Sequence, residues 1–248
     1  MTEKFALCIR STDAPLEVVA AYAGHLANQL NGKGVLLPIP SAFWETPTEL
    51  VSRSHCETSE ETLQLLPYIR VVSHEGQTFL YTRGGGGEEA RLHGNYSVGV
   101  GGHVDVHPNA GHSGNLYGCL QDEARREIKE ETGLDIASEK VQFTHFICDP
   151  TNPVGRVHLG LLATVQLSSD VGIDFVSSME ADTIENARLV NFGDLTATPE
   201  EFSRLENWSK LVVDQGSDSD LDYMIESDEE EEEDEEHGGF AADEDKDW

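Results

Sequence analysis

The sequence predicts an α/β protein that ends in an acidic tail, and three observations carry that reading. Short β-rich runs and segments of helical periodicity share residues 4–213, as expected when helices cover a sheet. One helical stretch, 126–134, places Glu127, Glu130 and Glu131 at i, i+3 and i+4 and then closes on Gly133. From Asp214 onward Asp, Glu and Ser make up the majority of the residues.

Residues 4–10 alternate as a strand, with Phe5, Leu7 and Ile9 on one face. Asp13 suits an N-cap and Pro15 a first-turn position. A helix is therefore expected over 16–30, where Leu16, Val19, Ala20, Ala23, Leu26, Ala27 and Leu30 recur at helical spacing until Asn31-Gly32 stops it. Residues 31–60 are rich in Gly, Pro, Ser and Thr and read as a largely irregular connection, anchored by Phe43 and Trp44. Runs 68–73 and 78–83 flank a polar turn at Gly76 and read as a hairpin. Arg83 and Arg91 flank the four-glycine loop 84–87 and are the candidates for gripping a substrate phosphate.

The next strand, 96–100, runs into Gly101-Gly102, and His103 follows directly, within reach of a phosphate there. His107 and His112 lie in a Gly-, Pro- and Asn-rich loop without zinc-site spacing. A helix should start near Asn115 or Leu116. Leu120, Ala124 and Ile128 give it a packing edge beside the acids. Strands are expected over 141–148, 156–167 and 187–192. A helix over 200–213 should bury Phe202, Leu205, Trp208 and Leu211 or Val212.

Composition removes several function classes. Of the net charge of −31, the tail 214–248 carries −17, from 18 acids and the single base Lys246. The body is also acidic, which argues against direct nucleic-acid binding, since that needs Lys and Arg stripes. Cys8, Cys56, Cys119 and Cys148 are scattered, so neither a disulfide framework nor a zinc site is expected. The chain shows no basic-then-apolar leader and no apolar run of about 18 residues, so a cytoplasmic protein without membrane contact is expected.

Three acids on one helix side repel by a few tenths of a kcal/mol per pair. A solvated acidic face is one explanation. The other is a hard, oxygen-seeking cation such as Mg²⁺ or Mn²⁺ placed against them. The string Arg126-Glu127-Ile128-Lys129-Glu130-Glu131-Thr132-Gly133-Leu134 matches the R-E-U-x-E-E-x-G-U core of the Nudix box (U aliphatic), and the chain resembles the Nudix hydrolases. The stretches LLPYI at 65–69, YTRG at 81–84, RLH at 91–93, YSVGVGGH at 96–103, VHLG at 157–160 and WSK at 208–210 are similar to a Nudix subgroup described only as predicted phosphoesterases. The likeness spans roughly 60–212. One departure stands out: Gly102 lies 24 positions before Arg126, about ten more than the full signature G-x5-E-x7-R-E allows. Its first glutamate would fall on Gly118 or Pro108, and neither is an acid.

The resemblance implies a Nudix α/β/α sandwich with a mixed sheet over 61–213, an N-terminal extension over 1–60 packed on it, and a disordered tail over 214–248. It implies Mg²⁺ or Mn²⁺ held by Glu127, Glu130 and Glu131 with a backbone carbonyl of the Gly101-Gly102 turn. Arg126 would orient a neighbouring carboxylate, which makes Glu127, Glu130 and Arg126 the expected catalytic set. Glu180 or Glu185 would supply any further acid. The reaction implied is hydrolysis of a phosphoric anhydride in a nucleoside diphosphate linked to another moiety. Two alternatives stay open: a non-catalytic nucleotide-sensing module, and a relative of the prenyl-diphosphate isomerases, a group that usually lacks an acid where Glu127 stands. In the tail, Phe240 and Trp248 sit amid acid, the composition of a segment that docks a basic protein partner or simply aids solubility.

Overall fold

The computed structural model describes residues 3–23, 34–85, 92–107, 109, 114–137, 140–169 and 183–215. β1 (Phe5–Arg10), β2 (Val35–Pro38), β3 (Glu49–Ser52), β4 (Thr62–Val72), β5 (Thr78–Arg83), β6 (Tyr96–Ser97), β7 (Gln142–Cys148), β8 (His158–Gln166) and β9 (Ile184–Val190) form one sheet. Its main path runs β2-β7-β8-β4-β1-β3, and β5 links β4 to β6 and β9. β4 and β8 run parallel over nine register positions, from Gln64↔His158 to Val72↔Gln166, while every other pair is antiparallel. The sheet is therefore mixed.

Alternation along the strands feeds two cores, one on each face. On one face Leu7, Ile9, Leu65, Ile69 and Leu161 pack against Val18 and Ala21 of α1 (Leu16–Tyr22) and Leu120, Ala124 and Ile128 of α3 (Leu116–Thr132). On the other, Tyr68, Leu80, Ile147 and Leu162 meet α4 (Phe192–Ala197) through Phe192 and Leu195, and α6 (Asn207–Gln215) through Leu211 and Val212. The α/β/α sandwich expected from the sequence is present. No described helix is long and apolar enough to cross a membrane.

Several local expectations change. The stretch 31–60 is not mostly irregular: its described part holds β2, β3, a 3-10 turn over Ser41–Glu45 and the single helical turn α2 (Arg53–Cys56). Strands of four residues are too short to show a period of two, and their hydrogen bonds come from β7 and β1, far away in sequence. In α1 the buried residues are Val18 and Ala21, and Leu16 is exposed, so the helix is rolled from the expected stripe. The expected continuation of this helix over 24–30 lies outside the described residues.

The helix expected over 200–213 is broken in two. α5 (Pro199–Arg204) stops at Leu205, whose backbone is extended, and α6 restarts at Asn207. Between them, Glu206 N–H donates to the Tyr96 carbonyl at 2.9 Å. The break carries Glu206 into the interior.

Candidate active site

Two local signals set the limits of the acidic helix. Asn115 Oδ1 accepts from the Gly118 N–H at 2.8 Å, capping its N-terminus. Gly133 ends it at φ +76°, a left-handed conformation that glycine adopts without strain. Ile128, Ala124 and Leu120 then anchor the buried side, which presents Arg126, Glu127 and Glu131 to a cavity of about 930 Å³.

Within that cavity the structure brings together Arg83, Gly101, Gly102, His103, Arg126, Glu127 and Glu131. Glu130 is not among the lining residues. Its side chain is 59% exposed, and it accepts from Arg126 Nη1 at 2.8 Å. Arg91, Glu180 and His112 lie outside the described residues. Glu185 is exposed on β9 opposite Thr82 and does not line the cavity. His107 is turned to the Thr48 carbonyl at 3.4 Å, also away from it.

Arg126 organises the acids. Nε and Nη2 donate to Glu123 Oε2 at 3.1 and 2.9 Å, and Nη2 also donates to Glu127 Oε1 at 2.6 Å. Glu123, one turn earlier and buried, is the partner that sequence reading passed over. Its spacing from Arg126 (i, i+3) and Glu127 (i, i+4) was the available signal. Burial pushes the Glu127 carboxyl above its usual range. Arg126 opposes that rise, and the negative charges of Glu130 and Glu123 add to it.

The glycine turn is set by close approach. A Cβ on Gly101 would come 1.9 Å from the Pro67 carbonyl oxygen, and one on Gly99 would meet the Tyr68 ring. The segment thus lies hard against β4, joined to it by reciprocal hydrogen bonds between Ile69 and Val100. A Cβ on Gly102 would stand 2.7–2.8 Å from all three atoms of the Glu127 carboxylate. That carboxylate therefore rests on the bare backbone of the turn.

The opposite wall holds a buried polar network. Glu206, 5% exposed, accepts through Oε1 from Tyr68 Oη at 2.9 Å and Ser97 Oγ at 2.6 Å. Tyr68 Oη also meets Ser209 Oγ at 2.7 Å. Glu206 Oε2 lies 3.6 Å from Arg83 Nη1, and the charge of Glu131 also acts on Arg83. Arg83 thus stands between a buried acid and the acidic helix. No motif marked Glu206, because its burial depends on residues more than 100 positions away.

Among the described residues, no group of three or more His, Cys, Asp or Glu stands ready to hold a metal. The donors present nevertheless suit a hard cation. They are all oxygen: the Glu127 and Glu131 carboxylates beside a turn whose missing Cβ leaves the backbone open. Crowded negative charge around the desolvated Glu127 is the condition that a divalent cation relieves.

No family model matches this chain. Protein YmaB of Bacillus subtilis (strain 168) is 31% identical over 181 residues, which cover 73% of this chain and 81% of YmaB. The fold is similar to the crystal structure of Tm1382, described as a candidate Nudix hydrolase. That match has a TM-score of 0.58 at 20% identity, over 85% of this chain and 97% of Tm1382.

Proposed function

The chain belongs to the Nudix family, and on that premise we propose that it hydrolyses a phosphoric anhydride in a nucleoside diphosphate linked to another moiety, with Mg²⁺ or Mn²⁺. The observation that carries this reading is the Glu127 carboxylate resting on the bare Gly102 backbone, pinned by Arg126 inside the cavity that Arg83 also lines. Glu127, Glu131 and a carbonyl of the Gly101-Gly102 turn would hold the cation. Glu130 remains a candidate ligand through the box it belongs to. When bound, the cation supplies charge neutralisation on the diphosphate and activation of water.

The protein's own groups do the rest. Arg126 holds Glu127 in place through its hydrogen bond and is itself held by Glu123. Arg83, fixed by Glu206, binds a phosphate oxygen of the substrate, and Arg91 and His103 are further candidates for that role. Water forms a new O–P bond as the P–O–P bridge breaks, and its proton passes to a glutamate carboxylate of the helix. The partner is a nucleotide-type small molecule and the setting cytoplasmic, with no membrane contact and no Lys and Arg stripe for direct binding along a nucleic-acid backbone. The acidic tail beyond Gln215 either docks a basic protein partner or serves solubility alone.

The test is a panel of nucleoside diphosphate conjugates, dinucleotides, nucleotide sugars and capped RNA ends with Mg²⁺ or Mn²⁺, with the products identified. Cleavage at an anhydride, reduced at least about a hundredfold in Glu127→Gln, is the expected result. Binding of nucleotides without any turnover across the panel would instead establish a sensing module.

A further inference from the structure

Trp208 departs from its expected place. Helical spacing puts it on the buried stripe with Leu205 and Leu211, yet beside the break at 205–206 it stands half-buried on the cavity wall. Its indole is held there from two sides. The benzo edge lies against Gly160 of β8, where a Cβ would come 2.9 and 3.0 Å from Cζ3 and Cη2. The Tyr68 ring of β4 meets the indole edge to face, 5.6 Å between centroids at 79°. Tyr68 Oη is fixed in turn by Glu206 at 2.9 Å and Ser209 at 2.7 Å, the buried residues two before and one after Trp208. Ser209 Oγ also accepts from the Val98 N–H at 3.0 Å. A large flat ring is thus locked in one orientation by β4, β8 and the segment after β6.

The surroundings of the ring narrow what it can hold. Two residues before it, Glu206 Oε2 lies 3.6 Å from Arg83 Nη1, the guanidinium that faces the same cavity. One residue before it, Asn207 Nδ2 donates to Asp149 Oδ2 at 3.4 Å. Asp149 is 2% exposed and also accepts from Asn152 Nδ2 at 2.7 Å and from the Thr151 N–H at 3.2 Å. Both acids of this wall are therefore satisfied, Glu206 by Arg83 and hydroxyls, Asp149 by amides, which argues against an ammonium group seated on the indole. What remains is a flat aromatic surface and a guanidinium, the complement of a ring and an anion carried on one molecule. We propose that Trp208 is the platform on which the nucleobase of the substrate stacks while Arg83 holds a phosphate of the same nucleotide. Stacking tolerates any base, because every base has a π-face, so the four bases should be accepted with modest differences. The moiety beyond the anhydride then extends away from this wall.

This placement rests on the nucleotide reading of the cavity, but its test needs no turnover. The full-length protein labelled with 5-fluorotryptophan gives three ¹⁹F lines, from Trp44, Trp208 and Trp248, and Trp208→Phe identifies the Trp208 line by its loss. AMP, GMP, CMP and UMP contain no phosphoric anhydride, so each can be titrated with Mg²⁺ present and no reaction. Each should move the Trp208 line. Ribose 5-phosphate, which has the sugar and the phosphate without a base, should leave it in place. On a cleaved panel substrate, Trp208→Leu should raise KM about tenfold or more with kcat within about threefold, and Trp208→Phe should recover most of the loss. A Trp208 line that no monophosphate moves, or that ribose 5-phosphate moves as far, overturns the proposal. Should the leucine variant not fold, the wild-type titration alone decides. A base-dependent shift in a protein that cleaves nothing on the panel would uphold the platform and remove only the hydrolase reading. Cleavage with an unmoved Trp208 line would remove only the platform.

Discussion

Arg126 and Glu127 are consecutive on one helix, yet their side chains meet, with Arg126 Nη2 donating to Glu127 Oε1 at 2.6 Å. Neighbours at i and i+1 do not normally face each other on a helix. Here the guanidinium lies across the helix surface between Glu123, Glu127 and Glu130 and serves as their internal counter-ion.

Arg126→Gln should therefore destabilise the metal-free protein. Its side chain is 37% exposed, so solvent screening discounts the pair with the exposed Glu130, and most of the loss comes from leaving the buried Glu123 and largely buried Glu127 without their cation. The expected loss is about 1–2 kcal/mol by chemical denaturation in chelator. Added Mg²⁺ should narrow the gap to wild type. A gap that Mg²⁺ leaves unchanged would mean that the acids do not face a cation site.

Gly101→Ala and Gly102→Ala separate fold from site. At 101 the new methyl meets the Pro67 backbone carbonyl, which cannot move without shifting β4, so the variant should lose about 2 kcal/mol or more. At 102 it meets only the end of the Glu127 side chain, which can swing aside. Stability should then change by less than about 1 kcal/mol, while Mg²⁺ affinity and turnover fall about tenfold or more. Equal losses of stability in the two variants would contradict this division of roles.

Glu127 gives a pH dependence of definite sign. Burial raises its folded pKa, so the unfolded chain loses this proton at lower pH than the folded one does. Ionisation therefore favours the unfolded state between the ordinary carboxylate value and the raised one, and the full cost persists above the raised value. Metal-free Glu127→Gln should be at least as stable as wild type at neutral pH. That advantage should disappear as pH falls below the ordinary carboxylate range. Melts of both proteins from pH 3 to 8 in chelator would show it, and a mutant advantage that grew on acidification would refute the assignment.

The end of the folded body can be located by truncation. Gln215 accepts from the Leu36 N–H at 2.9 Å and donates to the Gly34 carbonyl at 3.0 Å, which covers the outer edge of β2. A chain ending after Gln215 should melt with wild type and keep its maximal rate within about twofold. A chain ending after Val213 loses both bonds and should be less stable by about 1–2 kcal/mol. Equal melting of the two truncations would show the clasp to be idle.

What the sequence alone determined is what short-range physics controls. Asn115, the acid spacing and Gly133 delimit the acidic helix within their own few residues, because capping and a period of 3.6 need no distant partner. β8 and the second half of β4, with their β-rich composition, are legible for a similar reason, and so is the mixed α/β layering, whereas the strand expected at 68–73 omits the first half of β4, Thr62–Pro67. The tertiary structure decided the rest. Helical spacing placed Glu130 and Glu131 on one side, but only the position of the Gly101-Gly102 turn and of Arg83 put Glu131 on the cavity wall beside Arg126, while Glu130 stays off it, bonded to the Arg126 Nη1. The edge strands β2 and β3 take their hydrogen bonds from distant segments. Glu206 enters the interior only because Tyr68, Ser97 and the Tyr96 carbonyl are there to satisfy it. His158 meets the His103 ring, 55 positions away, only once the chain has folded. A buried polar group is held by donors and acceptors that the chain brings together only on folding, so no local pattern in the sequence can mark it.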